Sequence, residues 1–275
     1  MNPEIRRIGN LSLFTQLGRS RLGDRWLARD EATHSVVVVH WLAPAQERDS
    51  TRHLAARLDQ LQRLRHPHIL AIDSVIPAVC SSTQGFWIVT PFTGHHTGLL
   101  TLDRLLAEKG GTMPIVEVER CLLHLLEASE HAHHQGIIHG PILASEVQID
   151  RKGSLLVEFF GLSHSTGLDP FHTHNAAETI RDEIRSIVAL GYQLITGLSP
   201  QEPRLKLGKL IRQLDPAWDD WIDMGLDPSG GFASASEALG QLPSARGVPE
   251  SVAAPIMVKT MVNGMFKALR GVTGR

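Results

Sequence analysis

The apolar positions of this chain change period along its length, and each change marks a different kind of element. From Leu11 to Leu42 they fall in short β-rich runs: Leu11-Ser12-Leu13-Phe14, then Gly18 and Gly23, then Trp26 to Arg29, a polar break at Asp30 to His34, and the run Val36 to Val39. This predicts three antiparallel strands joined by hairpins. Between residues 50 and 65 the spacing turns helical, with Leu54, Leu58, Leu61 and Leu64 three or four apart and arginines between them. The helix is expected to stop at His66-Pro67, because a residue before proline leaves the helical region. Two more strands are expected over 69–75 and 86–89, separated by a loop at Cys80, Ser81 and Ser82. Five strands and one helix make a small α+β lobe over 1–93.

Beyond Gly94 the pattern is mainly helical. Helices are expected over 99–109, 116–134, 184–196, 204–213, 216–226 and 234–242, several of them ended by glycines such as Gly136 and Gly197. Two short strands over 147–150 and 155–159 flank the turn Arg151-Lys152-Gly153, and the polar segment 163–178 reads as a loop. The second lobe thus covers 94–243, and 244–275 is expected to be a linker followed by a helix.

Composition removes several function classes. The 275 residues are 42% hydrophobic and 20% charged, which excludes a disordered or fibrous chain. A net charge of -2 offers no basic field for nucleic acid. Two cysteines cannot frame a disulfide scaffold, and no apolar run is long enough to span a membrane, so a cytoplasmic protein is expected. All six lysines lie at or after Lys109. Chemistry that needs a lysine in the first hundred residues is therefore excluded whatever the alignment.

The order of elements and eight local phrases resemble the eukaryotic-type protein kinase family, in particular bacterial Ser/Thr kinases. Gly18-Arg19-Ser20-Arg21-Leu22-Gly23 resembles the glycine-rich loop, and Val37-Val38-Val39-His40 the end of the third strand. Leu64-Arg65-His66-Pro67-His68-Ile69 is similar to the phrase after the small-lobe helix, and Phe86 to Thr93 to the hinge. His133 to His139 resembles the run into the catalytic loop, Phe159-Phe160-Gly161 the DFG motif, Tyr192 to Gly197 the end of a buried helix, and Asp227-Pro228 with Phe232, Ser234 and Ala235 the closing segment. The resemblance covers about residues 11 to 243 and implies a bilobal fold.

On that resemblance the chemistry is replaced position by position. The phosphate-gripping lysine aligns with His40 and its glutamate partner with Arg57, which cannot pair with it. In the catalytic loop His139 is kept, the base aspartate is Pro141 and the metal-binding asparagine is Glu146. The DFG aspartate is Phe159, followed by the expected Gly161, and no asparagine lies between Asn10 and Asn175. Beside the adenine slot, Val38 replaces alanine and Gln148 an apolar floor residue, while Thr90 takes the gatekeeper position. Such a slot is expected to be partly filled by its own side chains, with no nucleotide and no other cofactor bound. Glu183 replaces the aspartate that begins the buried helix, and Gly231 an arginine that anchors the activation segment, which is shortened here.

Other features have plainer readings. His131, His133, His134 and His139 lie close in sequence, but the family phrase accounts for two of them and no metal is expected. Gly18 and Gly23 fit a hairpin turn better than a phosphate cradle, and Arg19, Arg21 and Arg25 read as solvated strand-end arginines. In the tail, Met257, Met261, Met265 and Leu269 fall on one face and Lys259, Lys267 and Arg270 near the other. A basic amphipathic helix of this kind can dock on its own domain, on a protein partner or on a membrane surface. The expectation is a catalytically inactive kinase-like module that binds protein; the alternatives are a nucleotide sensor and an atypical kinase working through Glu146 or Asp150.

Overall fold

A computed structural model describes residues 7–20, 23–43, 48–80, 82–94, 98–162, 176–201, 203–212 and 214–243. The small lobe is one antiparallel sheet of six strands, ordered β1-β2-β3-β4-β6-β5. The strands are β1 (Arg7–Ile8), β2 (Leu11–Ser20), β3 (Gly23–Asp30), β4 (Val36–Leu42), β5 (Ser74–Cys80) and β6 (Thr83–Pro91), with α1 (Arg48–Arg63) between β4 and β5. The additional strand is the two-residue β1, which pairs with Ser12 and Leu11 at the sheet edge.

Residue alternation sorts this sheet into two faces. Opposed pairs His40–Ile88 and Leu42–Phe86 point inward, while Val39–Val89 and Trp41–Trp87 point outward. Phe86, Ile88 and Leu42 join Leu54, Leu58 and Leu61 of α1 in the main core, whereas Val39, Val89 and Trp87 belong to a separate cluster on the outer face. Every third or fourth residue of α1 is thereby removed from water, as its leucine spacing requires.

The strand expected over 69–75 is displaced. Residues 69–72 leave the sheet, Asp73 N–H donates to the Val89 carbonyl of β6 at 2.8 Å, β5 starts at Ser74, and the Cys80–Thr83 turn replaces the expected loop, with Ser82 at φ 67°. The physical reason lies in the other lobe: Leu70 N–H donates to the Val157 carbonyl at 2.9 Å and Val157 N–H to the His68 carbonyl at 3.0 Å. The apolar residues Ile69, Leu70 and Ile72 are thus buried as a docked loop and not as a strand of the sheet.

The large lobe begins with a three-stranded sheet of β7 (Leu100–Thr101), β8 (Val147–Ile149) and β9 (Leu155–Val157). Its helices are α2 (Leu102–Glu108), α3 (Ile115–His134), α4 (Ala176–Thr196), α5 (Leu207–Leu210), α6 (Ala217–Leu226) and α7 (Ala235–Gly240). Helix α4 starts eight residues before the expected 184, so residues 176–178 are helical and not loop; α5 is much shorter than the expected 204–213. Helix α3 presents Val118, Leu122, Leu125, Leu126 and Ala132 to the core. At the far end Trp221 donates its indole N–H to the Ala238 carbonyl at 3.0 Å, and the Ser234 hydroxyl caps α7 by accepting from Glu237 N–H. No helix among the described residues is long and apolar enough to cross a membrane. Residues 244–275, including Met257, Met261, Met265 and Leu269, lie outside the described residues.

Candidate functional site

The cleft between the lobes collects most of the positions singled out from the sequence. Strands β2 and β3 form its roof through a hairpin in which Ser20 faces Gly23. Gly18 and Gly23 both have positive φ, and a Cβ on Gly23 would lie 2.3 Å from the Trp41 carbonyl oxygen, so the glycine permits a close approach of β3 to β4. Val38 and Thr90 are opposed across β4 and β6, and both are fully buried.

His40 occupies the inner face of β4 and is 2% exposed. Its Nε2 lies 3.1 Å from the Thr90 hydroxyl, and its ring meets Phe159 edge to face at 4.7 Å. Burial, and then the Arg25 charge, push its pKa down to about 3. The ring is therefore neutral at physiological pH and cannot offset a phosphate charge. Phe159 is buried with φ 49°, a costly backbone state for a residue with a Cβ, and offers no oxygen to a cation. Phe160 packs edge to face on His139 at 5.1 Å, and His139 Nε2 lies 3.1 Å from the Glu158 carbonyl. Arg57 lies against Gly161, where a Cβ would come within 2.3 Å of its guanidinium, and it donates to Gln60 at 2.9 Å.

Of the residues that decide the cleft, Gln148 is singled out by the sequence, Arg25 reads there as a solvated strand-end arginine, and Glu158 is not singled out at all. Arg25, two residues after Gly23, sits where the family motif continues to its apolar roof residue. It is not a solvated strand-end arginine: its side chain is 12% exposed and donates to Glu158 Oε1 at 3.2 Å. Glu158, the residue before Phe159, also accepts from Gln148, whose other amide atom accepts from the Thr93 hydroxyl at 2.6 Å. Burial raises the Glu158 pKa, while Arg25 and Gln148 oppose that shift. A continuous polar chain, Arg25–Glu158–Gln148–Thr93, thus ties the roof of the cleft to its floor and hinge. The sequence signal was an apolar strand position taken by arginine and an isolated glutamate between Val157 and Phe159.

The carboxylates proposed for an atypical enzyme are committed locally. Glu146 turns back to accept from Leu143 N–H at 3.0 Å, closing the single 3₁₀ turn Ala144–Glu146. Asp150 accepts from Lys152 N–H and Ser154 N–H at 2.8 Å, the hydrogen bonds of the β8–β9 turn. Pro141 follows Gly140 with no titratable group of its own, and no group of three or more metal-ligating side chains occurs among the described residues.

Glu183 has a larger role than its identity as a replacement implied. It is fully buried at the start of the apolar part of α4, accepts from His139 N–H at 2.7 Å and Gly140 N–H at 3.0 Å, and faces His133 Nε2 at 3.1 Å. Burial alone would raise its pKa, but the bond to His133 and the neighbouring charges outweigh it and the net shift is downward. The loop carrying His139 is therefore pinned to α4 by a buried carboxylate.

Comparison with known proteins agrees with this architecture. The family of protein tyrosine and serine/threonine kinases matches residues 11–183. A probable cyclin-dependent kinase 9 of Caenorhabditis elegans is 25% identical over 169 residues, 58% of this chain and 34% of the relative. CBL-interacting protein kinase 4 of Oryza sativa subsp. japonica is 27% identical over 188 residues, 67% of this chain and 37% of its own length. The chain spans about a third of the length of these relatives. In fold it is similar to the Mycobacterium tuberculosis PknI kinase domain, with a TM-score of 0.64 at 19% identity over 86% of this chain and 96% of that one. With the bilobal sheet-and-helix architecture and a family match over more than half its residues, the chain belongs to the protein tyrosine and serine/threonine kinase family.

Proposed function

We propose that the chain is a catalytically inactive, cytoplasmic kinase-like module that acts by binding protein partners, its nucleotide slot closed by its own side chains. The observation that carries this reading is the polar chain from Arg25 through Glu158 and Gln148 to Thr93, which occupies the space between roof and floor. A purine entering there would have to displace a buried ion pair, and either charge left unpaired costs several kcal/mol, of the order of 3 to 5. A micromolar nucleotide affinity is worth about 8 kcal/mol, so that penalty alone removes about two to nearly four orders of magnitude.

Phosphoryl transfer needs a metal held by oxygens and a cation on the phosphates. Phe159 supplies no oxygen, Glu146 is turned to Leu143 N–H, and His40 is neutral, so the residues present do not fit a magnesium–nucleotide complex. The intact anchoring of the His139 loop by Glu183 supports a fold kept for its surface. Partners would meet that surface or the tail carrying Met257, Met261, Met265 and Leu269.

The test is calorimetry and thermal shift with ATP, ADP and GTP, each with and without Mg²⁺, alongside radioactive phosphate transfer to a general protein substrate. No heat, no shift at millimolar nucleotide and no transfer are expected. Saturable Mg²⁺-dependent binding would move the reading to a nucleotide sensor, and transfer lost on Glu146→Gln would move it to an atypical kinase.

A further inference from the structure

Four histidines outside the cleft form a stack where the two lobes join. Two of them, His124 and His131, lie on α3 seven residues apart, which places them two turns from each other on one side of the helix. The other two, His66 and His68, come from the loop after α1 and fit between them. His131 stacks on His66 at 4.9 Å, His66 meets His68 at 5.6 Å, and His68 stacks on His124 at 3.7 Å with an interplanar angle of 14°. The same loop carries the hydrogen bonds from Leu70 and Val157 that join the small lobe to β9.

The hydrogen bonds fix the protonation pattern of this stack. His66 Nδ1 accepts from His68 N–H at 3.2 Å and so needs its lone pair. His131 Nε2 lies 2.9 Å from the Gln135 amide nitrogen, which donates to it, and so needs its lone pair as well. His68 Nδ1 faces the Leu155 carbonyl at 3.1 Å and carries the proton there. His124 Nδ1 is buried without a hydrogen-bond partner. Facing the stack, Glu127 lies 3.7 Å from His68 Nε2, Asp150 and Arg120 act on His124 with opposite signs, and Arg65 is directed to the Ile72 carbonyl at 3.3 Å. Two carboxylates therefore stand against four imidazoles and two guanidinium groups.

Burial, followed by His131 and His68, lowers the pKa of His66. Burial, followed by His68 and Arg120, pushes His124 down to about 4. Both groups bind a proton less readily here than in an unfolded chain, so mild acid favours states in which the stack is open.

We propose that the stack of His66, His68, His124 and His131 is a proton-operated clasp between the lobes: with His66 and His124 neutral it holds the 66–70 loop on α3 and β9, and protonation of either releases the loop. Charging His66 removes the acceptor of His68 N–H, and a second charge in the stack places like charges within contact distance of each other. Because the loop connects α1 to the sheet, its release frees α1 from its seat above the cleft and changes the surface that the small lobe presents.

Hydrogen exchange on the full chain, corrected for intrinsic rates, reads the clasp directly. From about pH 7.5 to about pH 5.5, protection of the His68, Ile69 and Leu70 amides should fall about tenfold relative to amides of β4 and β6. In the double variant His66→Asn, His124→Asn, which keeps an acceptor at residue 66 and removes both rings that lose proton affinity on folding, the ratio should stay within about twofold. A flat ratio in the natural chain overturns the proposal, with no need for the variant to fold. So does an equal loss in chain and variant.

Discussion

Arg25 and Glu158 carry opposite charges into a place that excludes water, and neither is tolerable there alone. Arg25→Val leaves the carboxylate buried and unpaired, so unfolding free energy should drop by about 3 to 5 kcal/mol. Arg25→Val with Glu158→Thr removes both charges, and this double variant should recover most of that loss in urea or thermal unfolding. A double variant no more stable than the single one would mean that the pair is not coupled. His40 gives a second test at this scale, through pH. Its folded pKa of about 3 lies below the ordinary 6.5, so the unfolded chain binds more protons throughout that window. Its contribution is therefore complete above 6.5 and is lost as pH falls toward 3. His40→Gln, which can still bond the Thr90 hydroxyl, should flatten the fall in stability between about pH 6 and pH 4 by up to about 1.4 kcal/mol per unit.

At the scale of elements, one residue of α4 organises a loop that has no regular structure. Glu183 accepts two backbone N–H groups from the His139–Gly140 segment, and both donors are buried. Glu183→Ala strands them at about 1 to 3 kcal/mol each, so the melting temperature should fall by several degrees, while Glu183→Gln, which keeps an acceptor, should lose less. Equal losses in the two variants would show that the hydrogen bonds are not what matters. The elements were largely legible where period and burial agree: the leucines of α1 and the core face of α3 stand where their spacing put them. They were not legible where a contact distant in sequence decides. Residues 69–72 have the apolar content of a strand, but Leu70 N–H bonds the Val157 carbonyl in the other lobe, which no local pattern encodes. Arg25 and Glu158 are separated by 133 positions, and each read alone is an ordinary surface charge. His40, Arg57, Pro141, Phe159 and the slot residues Val38 and Gln148 were visible because the family phrases set their register, whereas the pairing of Arg25 with Glu158 was visible only in three dimensions.

At the scale of the whole molecule, several contacts among the described residues join the lobes across the cleft and beside it. Phe159 touches His40 from below, the Arg25–Glu158 pair bridges roof and floor, and the loop at His68 to Leu70 is zipped to β9. A single apolar core runs through both lobes from Leu42 and Leu58 to Phe160 and Val157, so the small lobe is anchored along the side of the cleft as well as across it. In an enzyme of this architecture substrate would have to enter between the lobes, and closure around it would be part of the cycle. Here the Arg25–Glu158–Gln148–Thr93 side chains already bridge roof and floor. If, as proposed, the polar chain keeps nucleotide out, then restoring apolar surfaces should open the slot to a purine even with His40 and Phe159 unchanged. The triple variant Arg25→Val, Gln148→Leu, Glu158→Thr removes the polar chain and leaves Val38 and Thr90 in place. It should bind adenosine, the purine without the triphosphate, with a thermal shift of a few degrees at millimolar ligand, while the natural chain shows none. Added Mg²⁺ should make no difference, because Phe159 still provides no ligand. A shift of equal size in the natural chain would show that its slot is already open, and a folded triple variant that binds nothing would place the obstruction at Val38 instead of the Arg25–Glu158 pair.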